Sequence, residues 1–192
     1  MIYIIRHGQT ELNHAQVLQG RSDQPLNENG RIQAKEASVM LHRHGIHFDY
    51  VFASPLIRAV QTAEIVALDK NPVLDVRLIE MDYGPYEGAD LQNPSPELQL
   101  FFSDFIHNPA PEGMEQLSEV INRTGAFLEE IRNIDGNVLI STHAIAMKGM
   151  LEYLTPDAHG SYWSKYIGNC AIYFTDNSDG HFSIPCEFTE KL

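Results

Sequence analysis

A chain of 192 residues suits one domain with a single sizeable core, and its 43% hydrophobic and 20% charged content is ordinary for a soluble globular protein. Thirteen basic residues against twenty-six acidic ones leave a net charge of −13, which argues against a nucleic-acid binder and against an anionic membrane surface. If the substrate is an anion, the few cations must be gathered where it binds.

The apolar run at residues 1–5 is too short for a signal peptide or a membrane span, and no later stretch approaches that length, so a cytoplasmic protein is expected. Ile2–Ile5 reads as the first buried strand and ends at Arg6-His7-Gly8. A helix is expected over Glu28–His44, capped by Asn27 and ended near Gly45. Tyr50–Ala53 reads as a second strand, running into Ser54-Pro55 and a helix over Leu56–Leu68 that carries Arg58 one turn in. Val73–Val76 reads as a third strand, with Glu80 beyond it. Residues 80–113, rich in proline and aromatics, suit an irregular excursion over the site. A helix over Glu115–Arg132 leads to a strand at Val138–Thr142, then His143 and a helix to about Tyr153. Asn169–Thr175 and His181–Phe188 flank a turn-rich link and read as an antiparallel hairpin. A turn centred near Ser178 would set Cys170 opposite Cys186. Too few for a disulfide scaffold, both cysteines are expected to be buried, reduced thiols.

Strands alternating with helices imply a three-layer α/β/α fold with a mostly parallel central sheet, helices on both faces and a C-terminal antiparallel hairpin, all in one domain over residues 1–192. In such a sheet ligands bind beyond the carboxyl ends of the strands. Arg6, His7, Arg58, Glu80 and His143 are delivered to that rim from segments far apart in sequence. Their chemistry fits phosphoryl transfer. Guanidinium forks suit a phosphate dianion, and a neutral imidazole held at one nitrogen can accept a phosphoryl group on the other. A carboxyl group can protonate the leaving oxygen, and Glu80 can do so where the pocket raises its pKa.

Arg6-His7-Gly8-Gln9-Thr10 continuing to Asn13, then Leu18-Gln19-Gly20 with Asp23, Pro25-Leu26 and Gly30, resembles the opening of the histidine phosphatase (phosphoglycerate mutase-like) superfamily. Ser54-Pro55-Leu56-Ile57-Arg58 through Ala63 is similar to a second motif of that family, and Leu78-Ile79-Glu80 through Gly88 to a third. The resemblance runs from residue 2 to about 175. It implies a phosphatase that carries the phosphoryl group on His7, with Glu80 as acid and base. Arg6, Arg58 and His143 would grip the phosphate, with Asn13, Gln19 and Gly20 at the substrate. It implies no metal and no cofactor, and a small phosphorylated metabolite as the partner; oligomeric state is left open. Asp82 and Glu87 compete with Glu80 for the carboxylate role.

One residue departs from the family pattern: Ala144 stands where glycine usually follows the second histidine. If that position starts a helix, alanine fits without strain. His42, His44 and His47 invite a metal site, but their spacing does not set all three on one helical face. Phe101, Phe102 and Phe105 are expected to pack a short helix onto the body, with pocket lining as the minor alternative. Other activities compatible with the residues are a phosphoglycerate mutase, a protein phosphatase, a metal-dependent hydrolase and a phosphate-binding protein without turnover.

Overall fold

The computed structural model describes residues 1–177 and 180–189. Four strands run parallel: β1 (Ile2–Arg6), β2 (Tyr50–Ala53), β3 (Val73–Leu74) and β4 (Val138–Thr142). Two more, β5 (Ile172–Thr175) and β6 (Cys186–Phe188), join antiparallel, giving the order β3-β2-β4-β1-β5-β6. Six α-helices accompany them: α1 (Glu11–His14), α2 (Glu28–Arg43), α3 (Ile57–Val66), α4 (Pro96–Ser103), α5 (Leu117–Ile131) and α6 (Ala144–Leu154).

The period-two alternation of β1 sorts the core into two layers. Ile2 and Ile4 pack with Phe127, Leu128, Met147 and Met150 of α5 and α6. Tyr3 and Ile5 turn to the other face and meet Ala34, Ala37 and Leu41 of α2 and Val66 of α3. α2 and α3 therefore cover one face and α5 and α6 the other. β1 and β4 are neighbours, so the chain opens a crevice at their carboxyl ends.

Asn27 caps α2 as expected, its side chain accepting from the Gly30 amide at 2.8 Å. Gly8 and Gly30 let the loop after β1 lie against the start of this helix. A Cβ on Gly30 would fall 2.1 Å from the Gln9 carbonyl oxygen, and one on Gly8 would fall 2.4 Å from that of Gly30.

Three expectations change. The third strand is only Val73–Leu74, because the Asp75 side chain accepts from the Arg77 amide and starts a 3-10 turn over Val76–Leu78. The excursion, by contrast, carries the short helix expected around Phe101 as α4 and packs through a core of Met81, Tyr83, Leu98, Phe101 and Trp163. In the hairpin, Cys186 lies opposite Phe174, not Cys170. Cys170 sits at φ 56 outside the strand, where its amide donates to the Arg6 carbonyl at 3.1 Å. Ser178 and Asp179, at the expected turn, lie outside the described residues. Cys170 is half-buried and Cys186 exposed, and neither forms a disulfide.

Candidate active site

Beyond β1 and β4 lies a cavity of about 330 Å³, with Arg6, His7, Asn13, Gln19, Glu80 and Ala144 among its lining residues. His143 is not itself part of that lining but stands beside His7, ring centroids 5.1 Å apart, both buried. The Nδ1 of His7 lies 2.7 Å from the Gly8 carbonyl oxygen, which can only accept, so Nδ1 carries the proton. The other nitrogen, Nε2, accepts from Arg58 Nε at 3.2 Å. The same Arg58 Nε lies 3.2 Å from His143 Nδ1, which leaves His143 Nε2–H to donate to Ser54 Oγ at 2.7 Å. Both rings are thereby fixed as neutral imidazoles. Burial pushes them well below the ordinary histidine range, and the Arg58 charge reinforces the shift in each.

Arg58 is fully buried and rigidly held. Nη1 donates to the Ser22 carbonyl at 2.7 Å and Nη2 to that of Gly20 at 2.5 Å, so the guanidinium fork grips the loop and Nε alone faces the histidines. This differs from the free fork expected of it. Burial lowers its pKa to about 10, against the opposing pull of Glu80 and Asp23. Arg58, His143 and Gly20, all expected at the substrate, do not line the cavity; the Gly20 carbonyl is spent on Arg58 and its amide donates to the Glu87 carboxylate at 2.9 Å. Glu87 also accepts from the amides of Arg21 and Ser22, which makes it the support of this loop. Asp82, the other competing carboxylate, pairs with Arg21 at 2.9 Å.

Glu80 is buried at the start of α6. Its Oε1 accepts from the amides of Met81 at 2.9 Å and Ala146 at 3.0 Å, and Oε2 from that of Ile145 at 3.2 Å. The helix lacks a side-chain cap from His143, and Glu80 fills that place. Arg123 fixes the approach to it, donating to the carbonyls of Arg77 and Ile79 while paired with Glu115 at 2.6 Å. Ala144 is the first residue of α6 and is not among the residues with positive φ, so alanine sits there without strain.

Two buried donors on this wall have no partner among the described residues: Arg6 Nε and Gln19 Nε2. Unpaired buried donors are costly unless an acceptor meets them, and an anion in the cavity would. Arg6 Nη1 is anchored on the Ile167 carbonyl at 2.5 Å, and burial lowers its pKa. Asn13 holds Gln19 from Nδ2 at 3.4 Å, while its Oδ1 caps α1 through the Thr10 amide.

Several contributors escape sequence reasoning. Thr62 Oγ1 accepts from the Gly8 amide at 3.1 Å, and Asn169 Nδ2 donates to the His7 carbonyl at 3.0 Å. Tyr83, Phe102, Lys148 and Tyr166 also line the cavity, so one of the three excursion phenylalanines does face it. Burial holds the Tyr83 phenol well above its ordinary range. Thr62 and Tyr83 fall inside the second and third motifs and Phe102 is a candidate for pocket lining, while Lys148 is a lone cation in an apolar helix. His42 and His44 instead bring Nδ1 to the carbonyls of Ser38 and Met40 in their own helix. Among the described residues, no group of three or more histidine, cysteine, aspartate or glutamate side chains is arranged to hold a metal ion.

The family model described as histidine phosphatase superfamily (branch 1) matches residues 2–186. Phosphoserine phosphatase 1 of Hydrogenobacter thermophilus is 31% identical over 170 residues, covering 85% of this chain and 80% of that protein. A probable phosphoglycerate mutase of Escherichia coli is 30% identical over 154 residues, covering 76% of this chain and 70% of that one. The crystal structure of phosphoserine phosphatase from Entamoeba histolytica in complex with 3-phosphoglyceric acid superposes with a TM-score of 0.82 at 26% identity, over 98% of this chain and 94% of that one.

Proposed function

This chain belongs to the histidine phosphatase superfamily and is a phosphatase of that type, and from that premise we propose that it hydrolyses small phosphomonoesters through a phosphohistidine on His7, without a metal. The observation that carries this reading is the His7 imidazole. Its proton is tied to Gly8, its Nε2 accepts from Arg58 Nε, and it shares the cavity wall with Arg6 and Glu80.

In the first step His7 Nε2 attacks phosphorus in line, and the bond from phosphorus to the ester oxygen breaks. Glu80 gives its proton to that departing oxygen. In the second step water attacks the phosphohistidine; Glu80 takes the water's proton, and Nε2 leaves with the electron pair. Arg6, Arg58 Nε and the Gln19 amide, steadied by Asn13, hold the equatorial oxygens, where transition-state charge accumulates, while His143, whose one N–H is given to Ser54, steadies Arg58 Nε through Nδ1. Arg58 Nε exchanges His7 for a phosphoryl oxygen as substrate enters. A cavity of about 330 Å³ walled by Tyr83, Leu91 and Phe102 suits a metabolite better than a protein chain. A mutase is the less favoured reading. Phosphoserine and 3-phosphoglycerate, whose names are attached to similar enzymes, are the first compounds to screen. A cytoplasmic setting belongs to the same reading.

The test is release of phosphate from para-nitrophenyl phosphate in excess EDTA. Turnover by wild type and none by His7→Ala is expected. Activity that EDTA abolishes, or that survives His7→Ala, would overturn the reading.

A further inference from the structure

A second cavity, of about 440 Å³, adjoins the catalytic one and takes no part in the steps above. Phe102, Lys148 and Tyr166 line both, so the two meet across these side chains. Phe102 is fixed on α4 and Lys148 on α6, the helix whose first amides Glu80 takes. Tyr166, by contrast, is 85% exposed, and its ring can turn aside without opening the core.

Beyond that boundary the second cavity is walled by Phe105, Ile106 and Trp163, with the Phe105 and Trp163 ring centroids 6.3 Å apart and their planes at 32°. Its polar groups are already engaged. Asp104 pairs with His107 at 2.7 Å and Lys165 with Glu187 at 3.1 Å. Ser103 and Ser164 donate their hydroxyls to the carbonyls of Leu100 and Ser161, at 2.7 and 3.1 Å. Lys148 Nζ donates to the Trp163 carbonyl at 2.6 Å and stands 5.2 Å from the Phe105 ring centroid. The cavity therefore offers ring faces and edges, with an ammonium at its margin that attracts a further π face. A flat aromatic group suits this wall, whereas a polar end group would give up water there for few free partners.

We propose that this second cavity receives the far end of the leaving group, so that the preferred substrates are phosphate monoesters bearing an aromatic ring a few bonds from the ester oxygen. The phosphate lies at His7, a short chain crosses between Phe102 and Tyr166, and the ring packs against Phe105 and Trp163. The ring is remote from the bond that breaks, so it contributes to binding more than to the chemical step.

The proposal rests on the phosphatase reading, and one set of kinetics separates the two. Wild type is assayed on straight-chain alkyl phosphates and on the matching phenylalkyl phosphates over a series of chain lengths, the leaving alcohols of each pair being of similar acidity. At the favoured length the phenylalkyl ester should win in kcat/KM by about tenfold or more, mainly through KM, which is a modest share of what burying an aromatic ring contributes. Ser103→Trp fills the second cavity from an exposed position outside the catalytic lining. It should erase the phenyl advantage and leave the alkyl esters turned over as by wild type. Ile106→Ala, at a second exposed position, should cut the advantage by about threefold, so either folded variant decides the matter. Parity of phenylalkyl and alkyl esters at every length in wild type overturns the proposal. An advantage that persists undiminished in these variants also overturns it, because the ring then lies elsewhere. Wild type inert toward all the esters and para-nitrophenyl phosphate would instead overturn the phosphatase reading, and this assignment with it.

Discussion

The terminal nitrogens of Arg58 are committed to the carbonyls of Gly20 and Ser22, so the loop rather than the substrate decides where Nε points. That loop is in turn strung on the Glu87 carboxylate, which takes the amides of residues 20, 21 and 22. Arg58→Ala is expected to lower kcat/KM by about a hundredfold to a thousandfold, the usual cost of one donor at a developing charge. Glu87→Gln should cost about tenfold in an otherwise native site and little once Arg58 is gone, because it acts through the guanidinium. A double-mutant cycle checks this; equal costs in both backgrounds would contradict the chain of contacts. The candidate residues were legible because short motifs carry them: His7, Arg58 and Glu80 each sit just beyond a strand. Their supports were not. Asn169 meets His7 across 162 residues of sequence and Thr62 meets Gly8 across 54, and no local pattern encodes such bonds.

At the scale of elements, patterns held where packing and local preference agree. Tyr50–Ala53 and Val138–Thr142 coincide with their predicted spans, and α2 differs from its prediction by one residue. The departures lie where tertiary contacts decide. At the sheet edge, Val73 and Leu74 are more than half exposed, so no second neighbour extends the strand. The hairpin register moved because the Cys170 amide is taken by Arg6, which delays the strand to Ile172 and makes the pairing symmetric about residue 180. A turn-rich link allows several registers, and only the sheet it joins selects one. Within the excursion the short helix expected at Phe101 and Phe102 is present, with Ser95 as its cap and Pro96 as its first residue. Its aromatic rings pack on Ile145 and Val120, so the segment that walls the cavity is fastened to the helices that carry Glu80's donors.

For the whole molecule, a chain of net charge −13 gathers Arg6, Arg58 and Lys148 around one crevice, as the composition required of a protein handling a small anion. Keeping these groups dry costs stability in a way pH exposes. His7 and His143 are held well below 6.5 when folded and return to about that value when the chain unfolds. Between the folded and unfolded values the unfolded chain binds more protons, so stability rises with pH there and falls as pH drops below about 6.5. Each imidazole contributes up to about 1.4 kcal/mol per pH unit in that window. Urea unfolding at a series of pH values from neutral downward should show a steeper loss in wild type than in His7→Asn/His143→Asn. Parallel curves would contradict the assignment of two buried neutral imidazoles.

The central claim, a phosphoryl group carried on His7, is tested most directly by rapid quench of wild type with substrate in EDTA, followed by intact-mass and peptide analysis under alkaline conditions that preserve phosphohistidine. The account predicts one phosphoryl group per chain, located on His7, formed and lost at rates that support turnover and absent from His7→Ala. Full turnover with no adduct, or an adduct on another residue, would contradict it.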